Sequence, residues 1–331
     1  YQGRQLKTLA QTYLTALGSS KPGQAAPSLL IHSNQSGTAL LENLGRGART
    51  NSQKINGLPA FVIPFGIEHI ASTGMDLWFG ALSYGFGEVV LVLSGDEDPS
   101  YREALAAQTD LANSILQAMG YGKRIDYVCA QSITDLDPLS QRMKTLRDRK
   151  ASSLMVQPAS FALSMQKRET LEMTLEHLLQ FAPQALPADG VPLPAHSPIG
   201  GILVQKDACT LCMSCVGACP EGALLDNPDE PVLSFIEKQC VQCGLCEQTC
   251  PEKAITLSPR LSSIEQRKQK VTLNKTEPFH CISCGKAFGT LKMVELMLGR
   301  IGTHHAFSGD ALDRLKMCSD CRVVDMMKKE L

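Results

Sequence analysis

Two cysteine runs constrain this chain more than any other feature. The first reads Cys209-Thr-Leu-Cys212-Met-Ser-Cys215-Val-Gly-Ala-Cys219-Pro220. The second reads Cys240-Val-Gln-Cys243-Gly-Leu-Cys246-Glu-Gln-Thr-Cys250-Pro251. Both fit C-x2-C-x2-C-x3-C-P, and their tails match as well, Pro220-Glu-Gly-Ala-Leu224 against Pro251-Glu-Lys-Ala-Ile255, so the segment is an internal duplication. Twelve of the 13 cysteines fall between Cys209 and Cys321, while residues 1–208 contain Cys129 alone. Closely spaced runs of this kind read as metal ligands rather than as a disulfide framework. Metal-bound thiolates imply a reducing compartment, so a cytoplasmic location is expected.

The spacing has a physical reason. Cysteines at two-residue intervals let one tight loop place three thiolates around a cubane, and the fourth points away because the chain turns at the proline. Residues 206–257 resemble bacterial-type two-cluster ferredoxins, an α+β module. In that family the fourth cysteine of each run ligates the other cluster. The resemblance therefore implies that Cys209, Cys212, Cys215 and Cys250 hold one [4Fe–4S] cluster. Cys240, Cys243, Cys246 and Cys219 would hold the second. With all eight ligands present as cysteine, neither a [3Fe–4S] site nor a Rieske centre is expected. The small residues Gly217, Ala218 and Gly244 let backbone N–H groups approach the sulfurs. The resemblance implies low-potential, single-electron transfer by a non-catalytic subunit. The plainer alternative is eight structural cysteines that bind zinc or pair as disulfides.

Four cysteines remain, as Cys281-Ile-Ser-Cys284-Gly285 and Cys318-Ser-Asp-Cys321. Two C-x2-C pairs suit a tetrahedral zinc site of four thiolates in a small lobe of zinc-ribbon-like or treble-clef-like form. A third iron–sulfur cluster and an unligated thiol set are the alternatives. Helices are expected at 291–298 and 311–317. His304 and His305 read as surface or packing residues, and Arg267, Lys268, Lys270 and Lys275 as a solvated linker face.

A net charge of −1 argues against nonspecific nucleic-acid binding. Charge is nevertheless uneven: residues 201–260 carry eight acids against four bases, and residues 261–331 carry eight against twelve. No apolar run reaches the roughly 18–20 residues that cross a bilayer, so no transmembrane segment is expected. The sequence opens on Tyr1 rather than Met, and no secretory leader is visible in it.

In residues 1–182, apolar strand-length runs at 28–32, 58–64, 88–93 and 124–129 alternate with helices at 1–18, 38–44, 75–84 and 101–119. Residues 132–182 read as largely helical. This alternation predicts an α/β domain with a parallel sheet covered on both faces. Neither G-x-G-x-x-G nor a Walker A run is present. Glu68, His69 and Asp76 lie near strand–helix junctions and read as capping or loop residues. Cys129 reads as a buried small side chain and Trp78 as core or interface packing. The proline-rich stretch 183–205 reads as a linker, which gives four parts: 1–182, 183–205, 206–260 and 261–331.

Two further resemblances bear on partners. Residues from Gly74-Met-Asp76 through Ala81-Leu82 and Gly85, then Glu88–Leu93 and Tyr101, look like the delta subunit of methyl-viologen-reducing hydrogenase. That family passes electrons between a hydrogenase or formate dehydrogenase and heterodisulfide reductase through a [2Fe–2S] cluster. Residues 58–128 contain no cysteine, so here the domain would be a docking or structural relative. The chain as a whole, with Pro278-Phe-His-Cys281-Ile-Ser-Cys284-Gly-Lys and Cys318-Ser-Asp-Cys-Arg-Val323, is similar to bacterial ferredoxin-type proteins associated with formate dehydrogenases. The expected function is single-electron relay between a dehydrogenase-type donor and an acceptor. The alternatives are a maturation factor for a metallo-enzyme, or a redox enzyme with a small-molecule site in the α/β domain.

Overall fold

The computed structural model describes residues 2–18, 21, 23–149, 156–302, 304, 307 and 309–328. The chain divides into two compact units, residues 1–191 and 192–331. Among the described residues, no helix is long and apolar enough to cross a membrane.

The first unit is built on four parallel strands, β1 (Ser28–Ser33), β2 (Val62–Ile67), β3 (Glu88–Leu93) and β4 (Ile125–Cys129), in the order β2-β1-β3-β4. β3 is central and buried along its whole length, which explains its unbroken apolar run. Leu30, Val90 and Val92 pack with Leu40 and Leu44 of α2 (Ser36–Thr50) and with Leu139, Met143 and Leu146 of α5 (Asp137–Arg149). Leu29, Ile31, Val89 and Leu91 alternate to the opposite face and are equally buried, so both faces are covered. Each such side chain contributes about 1.5–3 kcal/mol on burial.

The remaining helices of this unit are α1 (Gln2–Leu17), α3 (Met75–Ser83), α4 (Pro99–Ala118) and α6 (Lys167–Gln180). α3 and α6 pack together, and Trp78 is fully buried as expected. Asp98 caps α4 by accepting from the Ser100 N–H at 2.8 Å, and Pro99 occupies the first turn.

Three details depart from the sequence reading. β2 runs three to four residues later than expected, because Pro59 O accepts from the Val62 N–H in a turn before it. Pro64 is tolerated within it because β2 is an edge strand. Helix α2 continues through Gly45 and Gly47 to Thr50, past the expected end at residue 44. A Cβ on Gly47 would stand 2.8 Å from Ile55 Cδ1, so glycine there serves close packing. Between α5 and α6, residues 156–166 are not helical, and 150–155 lie outside the described residues.

The second unit carries the duplication in its sheets. Strand Gly200–Val204 pairs antiparallel with Ile255–Leu261, and Leu224–Leu225 pairs antiparallel with Val232–Ile236. The short helices α7 (Ser214–Ala218) and α8 (Leu245–Thr249) pack against each other. Ile202, Leu211, Leu224, Leu233, Phe235 and Ile255 form the core with Cys209, Cys215 and Cys246.

Strand 200–204 falls inside the stretch read as linker. Strand Lys270–Lys275, read as part of a separate C-terminal lobe, adds to Val232–Ile236. Val271 and Leu273 alternate with polar neighbours, but the run is short and it is Asn274 rather than Val271 that is buried, so pairing decides it. Arg267 is a correction too: it lies in α9 (Ile264–Lys268), which packs on residues 237–239, and is buried to 2% exposure rather than solvated. Beyond lie the hairpin Pro278–His280/Ala287–Thr290 and the helices α10 (Leu291–Ile301), α11 (Asp310–Arg314) and α12 (Ser319–Lys328).

Candidate cluster sites and a four-cysteine group

Each C-x2-C-x2-C loop coils because residues between its cysteines take left-handed backbone conformations. Leu211 and Met213 have φ of 56° and 60°, and their counterparts Gln242 and Gly244 have 56° and 77°. Three side chains of four such residues carry a Cβ, so the coiling is strained for ordinary residues and needs compensation from what the loop surrounds. α7 and α8 then start one residue before the third cysteine of each run and end before the fourth. Cys219 and Cys250 are extended, with φ/ψ of −82°/108° and −69°/112°, which carries their sulfurs away from their own loops.

Two cavities result. One is lined by Cys209, Cys212 and Cys215 of the first run and by Cys250 of the second, with Leu211, Leu233 and Ile255. The other is lined by Cys240, Cys243 and Cys246 of the second run and by Cys219 of the first, with Ile202, Leu224 and Phe235. All eight cysteines are unpaired. The fourth cysteine is exchanged between the halves in both cavities.

The sulfurs meet hydrogen-bond donors in a near-repeat. The Ala223 N–H donates to Cys219 Sγ and the Ala254 N–H to Cys250 Sγ, each at 3.3 Å. The repeat breaks at two places. Gln242 Nε2 donates to Cys240 Sγ at 3.2 Å and to Gly201 O at 2.8 Å, where the first run has the apolar Leu211. Ser214 Oγ lies 3.4 Å from Cys212 Sγ, where the second run has Leu245. Gly217 and Ala218, read as small residues that admit backbone donors, are not among these contacts.

Burial pushes the Cys215 thiol up to about 12 and the Cys246 thiol up to about 11, with neighbouring thiols adding to the effect. Burial raises Cys240 as well. It opposes ionisation of Cys212 too, but bonds to Ser214 and Thr210 outweigh it and hold that thiol below its ordinary range. Four thiolates therefore cannot share either cavity uncompensated. A cationic iron core fits the donor set, the apolar walls and the exchanged fourth ligand.

The second pair of motifs also converges. The sulfurs of Cys281, Cys284, Cys318 and Cys321 all lie within 4.8 Å of one another. Cys281 closes the first knuckle: its N–H donates to Lys286 O and its carbonyl accepts from Gly285, whose φ is +73°. Cys318 and Cys321 sit at the start of α12, a helix the sequence reading did not anticipate. The Ile282 N–H to Lys316 O bond joins the two motifs. His304 is exposed and outside this group, and His305 lies outside the described residues.

The first unit offers less. At the carboxyl ends of β1 and β3, where the strand order reverses, Ser33, Ser36, Ser94 and Glu97 come together. Their groups bond to one another: Ser94 Oγ donates to Ser36 Oγ at 3.0 Å, and Glu97 accepts from the Ser94 and Gly95 N–H groups. Glu68 and His69 are exposed. Burial raises the Asp76 carboxyl, and Lys167 opposes it. Cys129 is half-buried at the end of β4, more open than expected.

Comparison with known proteins bears on the second unit. Residues 201–251 and 239–289 each match a model of the 4Fe-4S dicluster domain. A 63-residue stretch is 35% identical to the ferredoxin-type protein NapH of Haemophilus influenzae, covering 18% of this chain and 22% of that protein. The chain thus spans about a fifth of that relative's length. The chain contains an iron–sulfur module of the 4Fe-4S dicluster ferredoxin type, a class of electron-transfer module.

Proposed function

We propose that this chain relays single electrons through two [4Fe–4S] clusters as a subunit or partner of an oxidoreductase. Cys209, Cys212, Cys215 and Cys250 hold one cluster; Cys240, Cys243, Cys246 and Cys219 hold the other. The observation that carries this reading is the pair of cavities, each walled by three cysteines of one run and the fourth of the other. The clusters supply reversible one-electron storage. The chain's part is to exclude water with Leu211, Leu233, Phe235 and Ile255, to ligate every iron, and to tune each cluster by N–H···S bonds.

Complete cysteine ligation leaves no iron position for a substrate, so the module transfers electrons rather than making or breaking bonds. Cys212 and Cys243 occupy equivalent positions in the two runs and are exposed, unlike the buried Cys209, Cys215 and Cys246. Electrons enter at one of these edges and leave at the other. Redox proteins are the partners, and a formate dehydrogenase or hydrogenase is the donor that the sequence resemblances favour. Metal-bound thiolates favour the cytoplasm. A coulometric titration tests the relay: about two electrons per chain are taken up and returned reversibly. Uptake of none, or irreversible uptake, sinks the reading.

A further inference from the structure

We propose that Cys281, Cys284, Cys318 and Cys321 hold one zinc ion in a closed, four-thiolate site that braces the loop carrying Cys209 and Cys212. The first support is geometric. A Zn–S bond of about 2.3 Å sets the edge of a ligand tetrahedron at about 3.8 Å. Cys284 Sγ and Cys318 Sγ are 3.8 Å apart, and no pair in the group exceeds 4.8 Å. A cubane interposes four irons between its thiolates and so holds them much wider apart. The ferredoxin cysteines do this: among the described residues they form no such close group, and they line two apolar cavities instead. The spacing of the C-terminal sulfurs thus matches a single ion and disfavours a third cluster.

The second support is the way the group is built. Two knuckles from segments 34 residues apart, counted from Cys284 to Cys318, bring all four sulfurs within 4.8 Å of one another. The four are unpaired, and Cys281 and Cys318 are buried. Four thiolates this close repel one another unless a cation lies among them. Two disulfides are the competing outcome, but no S–S bond joins any of the four.

The third support is what the lobe touches. Thr290, at the end of the hairpin whose turn carries the first knuckle, donates through Oγ1 to Thr210 O at 2.7 Å. Lys292 Nζ donates to Lys206 O at 2.6 Å. Asn274 Nδ2 donates to the same carbonyl at 3.2 Å. Arg300 pairs at 2.8 Å with Glu252, which lines the first-run cavity. Fixing the knuckles fixes the hairpin and α10, and through them the entry to the first-run loop. All four ligand positions are filled by protein, so the ion is structural and binds no substrate.

Wild-type protein purified anaerobically is analysed for metals and by zinc K-edge X-ray absorption. About one zinc per chain with four sulfur neighbours at about 2.3 Å is expected. Cys284→Ser/Cys321→Ser then loses the zinc. Absent zinc, nitrogen or oxygen ligands at the metal, iron in excess of that for two clusters, or zinc retained by the double variant overturns the proposal. The wild-type absorption measurement decides even where the variant fails to fold. The iron content of the same sample reports separately on the two-cluster reading, so the two can fail independently.

Discussion

Thr290 Oγ1 donates to the carbonyl of Thr210 at 2.7 Å, and the same hydroxyl accepts from the Met293 N–H at 3.1 Å. One buried side chain thus caps helix α10 and holds the residue between Cys209 and the rest of the first cysteine run. The bond links a segment 80 residues distant to the wall of the first-run cavity. It makes residues 278–301 part of the ferredoxin unit's structure rather than an appended lobe.

Thr290→Val removes both bonds at nearly constant volume. The buried Thr210 carbonyl loses its partner and α10 loses its cap, a combined cost of about 1.5–4 kcal/mol. In denaturant titrations followed by the iron–sulfur absorbance near 400 nm, the midpoint falls, and chelator strips the first-run cluster faster than the second. Equal rates of loss for the two clusters contradict the bracing role.

The breaks in the sulfur hydrogen-bond repeat predict separate tuning. A donor to a cysteine sulfur favours the more negative, reduced cluster, so its removal lowers the potential. Gln242→Leu copies the first run's residue into the second and lowers the second-run cluster's potential. Ser214→Ala does the same for the first-run cluster. A differential of about 0.5–1.4 kcal/mol corresponds to about 20–60 mV for one electron. Redox-poised EPR resolves the two shifts; a Gln242→Leu shift confined to the first-run cluster contradicts the ligand assignment.

The exchange of the fourth cysteine predicts a crossed phenotype. Cys219→Ser perturbs the cluster held by Cys240, Cys243 and Cys246, although Cys219 belongs to the first run. Cys250→Ser perturbs the other. Mössbauer or EPR spectra of the two variants identify the affected centre, and a perturbation within the substituted residue's own run refutes the exchange.

The first unit has a pH dependence of known sign. Burial holds His32 below its ordinary value, opposed in part by the bond between Nδ1 and Ser33 O at 3.0 Å. Burial lowers His177 as well, opposed by Gln157 O. Unfolded, both take up a proton near pH 6.5, while the folded chain does so only at lower pH. Below about pH 6.5 the unfolded state therefore binds more protons, and stability falls as pH drops toward the folded values. The urea midpoint of the far-UV signal should drop between pH 7.5 and 5.5, and drop less in His32→Gln. An identical pH slope in the variant contradicts the assignment.

Much of this was legible in the chain because cysteine spacing encodes loop geometry directly. Two-residue gaps require tight coiling, and the structure supplies it at Leu211, Met213, Gln242 and Gly244. The parallel sheet was legible because β3 is apolar from Val89 to Leu93. What sequence left hidden was long-range pairing. Strand Lys270–Lys275 carries three charged or amide side chains and only a short alternation at Val271 and Leu273, yet it completes a sheet. Arg267 resembled a solvated base until α9 turned it inward. Gln242 and Ser214 carry a signal that alignment of the two halves would have exposed, since each stands opposite a leucine.

The two-cluster account stands or falls on one sample: anaerobically purified protein, analysed for iron and sulfide and examined by EPR after dithionite reduction. About eight irons per chain and a spin-coupled spectrum from two neighbouring [4Fe–4S] centres are expected. Iron near four per chain, or a single uncoupled signal at full reduction, contradicts it.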